Sequence, residues 1–197
     1  MADSQLRIKL LDTARSFILE KGYAATSINE ICQAARVTKG AFFHYFTSKE
    51  ELGKAVLYHH WEPLKHLLEE TAPFLQISDP LERVRAHCEF IVNLHEHPDT
   101  APSCLFGNFA QELPATNPTL CGLCDEAFSW WTNIIKVDLD KAVQLYPPKT
   151  PINTQSVAEH FVVVYEGALI LAKAQRNPGV IRVHLEQFIQ FINLLFN

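Results

Sequence analysis

Signals that start and stop α-helices recur along the whole of this 197-residue chain, and no stretch alternates like a strand or carries hairpin chemistry. That confines it to an all-α fold. Leu6, Leu10, Leu11, Ala14, Phe17 and Ile18 share one face of a first helix, which stops near Gly22, a residue free to take the left-handed C-terminal cap. Ser27-Ile28-Asn29-Glu30 is a capping box opening a short helix to about Ala35. Thr38 caps a third helix through Tyr45, and Ser48-Lys49-Glu50-Glu51 opens a fourth that heads towards Pro73. Asp79-Pro80-Leu81-Glu82 starts the next, with proline at the first helical position. Further helices are expected near 103–113, from Asn117-Pro118 to before Pro147-Pro148, over 154–176 and over 180–196. The expected architecture is a three-helix head, residues 1–48, and a six-helix body, residues 49–197, with 49–72 as the linking helix.

Composition narrows the setting. No apolar run approaches the ~18 residues of a membrane span, and the N-terminal stretch is polar and lacks a signal-peptide core. The chain is therefore expected in the cytoplasm, away from membranes. Five cysteines, an odd number, argue against a complete disulfide framework and fit a reducing compartment. The net charge of −5 is unevenly spread: residues 1–60 hold eight basic against six acidic side chains, and 61–197 hold nine against sixteen. Such a split suits a head that meets a polyanion and a body that does not.

The stretch Thr26 to Phe46 is the most informative. Ile28, Ile31, Ala35 and Val37 face inward, and Phe42 and Phe46 close the head core. Thr38, Lys39, Gly40, His44 and Tyr45 are left outside on the second of two short helices. A short helix presenting a cation, small residues and hydrogen-bonding aromatics fits the major groove of double-stranded DNA. The helix starts at Ser27, Thr38 and Lys49 are expected to aim backbone N–H groups at phosphates.

Here the sequence resembles the TetR family, whose head signature is roughly T-x-x-x-I-A-x-x-A-G-V-S-K-G-x-x-Y-x-H-F-x-x-K-x-x-L. Ser27, Ile31, Ala35, Val37, Thr38 (in the place of serine), Lys39, Gly40, Tyr45 (in the place of histidine), Phe46, Lys49 and Leu52 match it without a gap, and the likeness spans residues 7 to 58. The resemblance makes 39–45 the recognition helix and implies a helix-turn-helix DNA-binding domain joined to a ligand-binding and dimerisation body. The DNA contacts it implies are Ser27, Arg36, Thr38, Lys39, Gly40, Phe43, His44, Tyr45 and Lys49. Two of these depart from the pattern. Arg36 replaces the turn glycine, so the turn either holds an arginine at positive φ or closes differently. Phe43 replaces a tyrosine and lacks its hydroxyl.

In the body, Ser103 to Leu113 is similar to the G-C-L-x-G-N-x-A-Q-E stretch of some TetR-type regulators, followed by F-x-x-W at Phe128 to Trp131. There the short helix lies beside the ligand cavity. By that likeness Cys104, Asn108, Phe109, Glu112, Phe128, Trp131 and Tyr165 are the ligand-site candidates. Asn108 and Glu112 are four apart and share a helical face; they either orient a small, partly polar ligand or bridge neighbouring helices. The apolar excess of the last two helices calls for a partner, and the resemblance implies a homodimer through four helices.

The chain shows no Ser-His-Asp order, phosphate loop or dinucleotide glycine pattern, so neither an enzyme nor a cofactor is expected. Cys121-Gly122-Leu123-Cys124 has no second pair, and His59, His60, His66, His87, His95 and His97 lack metal-ligand spacing; packing thiols and solvated helix turns are the expectation. The function expected is a repressor that binds a palindromic operator as a homodimer and answers a small-molecule inducer. Two alternatives are a thiol-redox sensor of the same fold, through Cys104, Cys121 or Cys124, and a helical interaction module without DNA binding.

Overall fold

A computed structural model describes residues 2–96, 103–113 and 117–196; His97 lies outside them. Among these are nine α-helices: α1 Ala2–Lys21, α2 Ile28–Ala35, α3 Lys39–Tyr45, α4 Lys49–His66, α5 Pro80–Glu96, α6 Leu105–Glu112, α7 Pro118–Leu145, α8 Thr154–Gln175 and α9 Gly179–Phe196. No strand occurs among the described residues, and no helix there is long and apolar enough to cross a membrane. The fourth helix stops short of Pro73: after His66 the chain widens into a π-turn over Leu67–Thr71, then a 3₁₀ turn over Pro73–Gln76.

The caps show why the boundaries fall here. Ser27 and Glu30 form the reciprocal box, Glu30 N–H to Ser27 Oγ at 3.2 Å and Ser27 N–H to Glu30 Oε2 at 3.0 Å. At α4 the box is shifted: Glu51 N–H donates to Ser48 Oγ, but the Glu51 carboxylate accepts from Thr47 N–H at 2.6 Å. Asp79 and Asn117 each cap a helix, accepting from Glu82 N–H and Leu120 N–H at 2.9 Å. Arg36 ends α2 in the left-handed region at φ 57°, its N–H satisfied by the Cys32 and Gln33 carbonyls. Arg176 does the same for α8 at φ 52°, so the break before α9 uses an arginine rather than Gly179.

The chain packs as two compact units. The first takes in the residues up to His66 together with Cys104–Ala127. Its core is Leu10, Leu11, Ala14 and Ile18 of α1 against Ile31, Ala35, Phe42 and Phe46, with Leu52, Val56 and Leu57 of α4 and Phe109 of α6. This division by packing cuts across the division by role expected at residue 48, because α6 and the start of α7 pack with the helix-turn-helix. The second unit, Leu67–Ser103 with Phe128 onward, holds α5, the rest of α7, α8 and α9. Its core centres on Phe161 and Phe188, whose rings lie 5.6 Å apart, edge to face. Val163, Ile170 and Leu171 on α8 and Val183 and Leu194 on α9 stay exposed.

Candidate DNA-binding and ligand-sensing sites

The head presents a polar, cationic surface built on short-range geometry. Ser27, Arg36, Thr38, Lys39, Gly40, Phe43 and His44 are all exposed, while Tyr45 and Lys49 are half-buried. Thr38 Oγ1 accepts from Ala41 N–H at 3.1 Å, so the first-turn N–H groups of Lys39 and Gly40 keep no such cap. Phe42 is fully buried under α3 and fixes which side of that helix faces out, while Phe43 is half exposed. Ser27, Asn29, Lys39, Phe43 and Lys49 line one groove of about 390 Å³. Glu30, beside it, is neutralised by Lys21: hydrogen bonds from Lys21, then from Ser27, lower its carboxyl to about 2.

Gly40 has an unforced conformation, and a Cβ built there meets only Thr38 Oγ1, at 3.8 Å. Nothing among the described residues requires a glycine at this exposed turn of α3, although glycine weakens a helix by roughly 1 kcal/mol relative to alanine. Lys49 behaves differently from an outward phosphate ligand. Its ammonium donates to the Ala24 carbonyl at 3.1 Å and lies 4.4 Å from the Tyr23 ring centroid. Partial burial lowers its pKa, with Glu112 and Glu30 acting against that.

The seven ligand-site candidates fall into both units. Cys104 caps α6, its sulfur accepting from Gly107 N–H at 3.4 Å. Phe109 is fully buried, 4.8 Å from the Tyr23 ring. Asn108 and Glu112 do share a face, and it points at the end of α1: Asn108 Nδ2 donates to the Ile18 carbonyl, and Glu112 accepts from Tyr23 and Ala24 N–H. In the second unit Trp131 and Tyr165 are buried with ring centroids 5.0 Å apart, and Phe128 is half-buried on α7.

Histidines complete this second cluster, against the expectation of solvated turns. His87 is 2% exposed, stacked on Phe74 at 4.5 Å, and its Nε2 accepts from Trp131 Nε1 at 3.2 Å. That bond places the imidazole proton on Nδ1. Burial lowers its pKa to about 3. His95 Nε2 shares a 2.7 Å hydrogen bond with the Tyr165 hydroxyl, its Nδ1 is buried without a partner among the described residues, and its pKa is also lowered by burial. The cluster is an uncharged, aromatic interior with polar nitrogens and a hydroxyl. The signal was present in the sequence: Val84, His87, Cys88, Ile91, Val92 and His95 follow the 3,4 spacing of one helix face, and all six are buried.

An exposed, cation-bearing recognition helix on a helix-turn-helix, in a chain with a separate helical unit built round a polar aromatic core, defines a DNA-binding transcriptional regulator. The chain belongs to the TetR family. Residues 10–56 match the model for bacterial regulatory proteins of the tetR family, and 80–188 match the tetracyclin repressor-like C-terminal domain. It is 24% identical to the HTH-type transcriptional repressor DhaR of Mycobacterium sp. (strain GP1), across 98% of this chain and 92% of that protein. It is 28% identical to the transcriptional regulator AcuR of Cereibacter sphaeroides, across 86% and 77%. A crystal structure of a regulatory protein TetR from Rhodobacter sphaeroides superposes with a TM-score of 0.79 at 26% identity, covering 92% of this chain and 96% of that one.

Proposed function

We propose that the protein is a homodimeric repressor whose two α3 helices read a palindromic operator and whose second unit binds a small-molecule inducer. In this reading residues 1–48 form the DNA-binding domain, and 49–197 sense and dimerise. Lys39, Gly40, His44 and Tyr45 meet the groove, with Ser27, Arg36, Thr38 and Phe43 beside the backbone. Lys49 serves from behind, bracing the α1–α2 turn. The inducer is small and uncharged, because the Trp131–Tyr165–His87–His95 cluster offers neutral hydrogen-bonding groups on an aromatic surface and no charge to pair with an ion. An inducer acts as such only if it binds the operator-released state more tightly.

Gly40 carries the DNA reading: a glycine that costs helix stability and relieves no internal clash is explained by a surface that comes close from outside. Selection from random DNA supplies the operator for the test. Gly40→Ala should hold or raise the melting temperature, since α3 gains propensity. Operator affinity should fall by roughly tenfold, the scale of one disturbed base contact. Gly40→Leu should bind worse still; a normal affinity in that variant would remove α3 from the groove. A second reading has one observation in its favour, the Cys104 sulfur at the N-terminal cap of α6, where it accepts from Gly107 N–H at 3.4 Å. Thiol titration before and after peroxide decides it: loss of the Cys104 thiol together with operator release would make the signal oxidative.

A further inference from the structure

The turn between α1 and α2 is held from outside itself. Gly22 takes φ +90°, and the next two amides turn towards α6. Tyr23 N–H and Ala24 N–H donate to the Glu112 carboxylate at 3.1 and 2.7 Å, from 89 and 88 residues away in sequence. One helical turn earlier, Asn108 Nδ2 donates to the carbonyl of Ile18 at 3.1 Å, which Gly22 N–H also reaches at 3.0 Å. From α4, Lys49 donates to a further polar group of the turn, the Ala24 carbonyl. Gly22 is doubly constrained: a Cβ there would lie 2.2 Å from Glu112 Oε1, besides the strain of its φ.

This turn leads straight into the helix-turn-helix. Thr26 Oγ1 donates back to the Gly22 carbonyl at 2.7 Å, and Ser27 is the cap from which α2 begins. The core fixes the inner side of α2 through Ile31 and Ala35. The chain enters α2 from this turn, two of whose amides the Glu112 carboxylate holds. Glu112 itself is solvent-exposed, so little apolar packing depends on it. A side chain that the core does not need, but that takes two charge-assisted backbone hydrogen bonds at the entrance to the DNA-reading motif, is placed to control pose rather than stability.

We propose that Glu112, seconded by Asn108, is a positioning residue for DNA recognition: by clamping the Tyr23 and Ala24 amides it holds α2, and with it the reading motif, in the pose that discriminates one DNA sequence from another. The inference rests on the DNA-binding reading above and adds to it a residue that does not touch DNA.

The test compares the full-length protein with Glu112→Ala and Glu112→Gln. It measures melting temperature, amide exchange at Tyr23 and Ala24 by NMR, and affinity for both the selected operator and a random duplex. In Glu112→Ala the two amides should exchange about tenfold faster, the scale of a lost hydrogen bond. The ratio of operator to random-duplex affinity should fall by roughly tenfold. Random-duplex affinity at low salt and the melting temperature should stay near wild type. Glu112→Gln keeps an acceptor oxygen without the charge and should fall between the two. It also gives the reading should the alanine variant fold poorly. Unchanged amide exchange, or fast exchange with an unchanged affinity ratio, overturns the proposal. So does a parallel loss of melting temperature and both affinities, which marks a purely structural role. A wild-type protein that selects no sequence would sink the DNA-binding reading and this one together, whereas a selective wild type with an equally selective Glu112→Ala sinks this one alone.

Discussion

Arg36 holds a position where its backbone costs stability. Left-handed backbone disfavours a residue with a Cβ by about 1 kcal/mol, and at φ 57° and ψ 46° the side chain gains no compensating ion pair or hydrogen bond among the described contacts. Its side chain is exposed, as are those of Thr38 and Lys39 just after it in the chain. Arg36→Gly should therefore stabilise the protein by about 1 kcal/mol in urea denaturation while removing one cation from the DNA-facing surface. If the guanidinium meets a phosphate, the slope of log affinity against log salt should flatten by about 1. A more stable variant with an unchanged slope would leave Arg36 out of the DNA contacts and without a reason for its strain.

At the scale of elements, the helices were legible because caps, prolines and apolar spacing act within four residues of themselves. The recognition motif was legible for the same reason. Glu112 was not: its partners lie 88 and 89 residues away, and nothing local to α6 says whether a carboxylate four places after an asparagine faces a ligand or a backbone. The α9 face was legible only in part. Phe188 reads as a candidate dimer residue from its helix alone, yet it is 1% exposed and packed on Phe161, so replacing it would break the subunit first. The exposed apolar positions include Val163 and Ile170 on α8, seven apart and so on one face, and Val183 and Leu194 on α9. If the proposed homodimer forms through this face, Val163→Glu with Ile170→Glu should keep helical content and give a 22.4 kDa monomer in sedimentation velocity. Operator affinity should then fall by roughly a hundredfold or more, because the second head no longer binds from high effective concentration. An intact dimer in that variant would move the interface off this face of α8.

For the molecule as a whole, acid is the condition that reaches both units. His60 in the first and His87 in the second are held neutral, their pKa values lowered by burial to about 4 and about 3; for His60 the nearby Arg15 adds to the effect. A histidine whose folded pKa lies below its unfolded value of about 6.5 binds protons more readily in the unfolded chain, so stability falls as pH drops below 6.5. For His87 alone the loss between pH 7.5 and 5.5 is about 1.4 kcal/mol, and His60 acts in the same direction. This window lies above the one where carboxylates matter. Glu30, whose pKa is lowered chiefly by Lys21, loses its contribution only as pH falls from its usual range towards about 2. Asp138, raised by burial and opposed by Arg83, works in the opposite sense in the carboxylate range. Urea midpoints measured at pH 7.5 and 5.5 should therefore separate clearly in the wild type. His87→Gln keeps an acceptor for Trp131 Nε1 and removes the titrating group. It should be less stable at pH 7.5 yet lose about 1.4 kcal/mol less on going to pH 5.5. Parallel losses in the two proteins would mean that His87 titrates alike in the folded and unfolded chains, and the neutral interior assigned to the second unit would have to be abandoned.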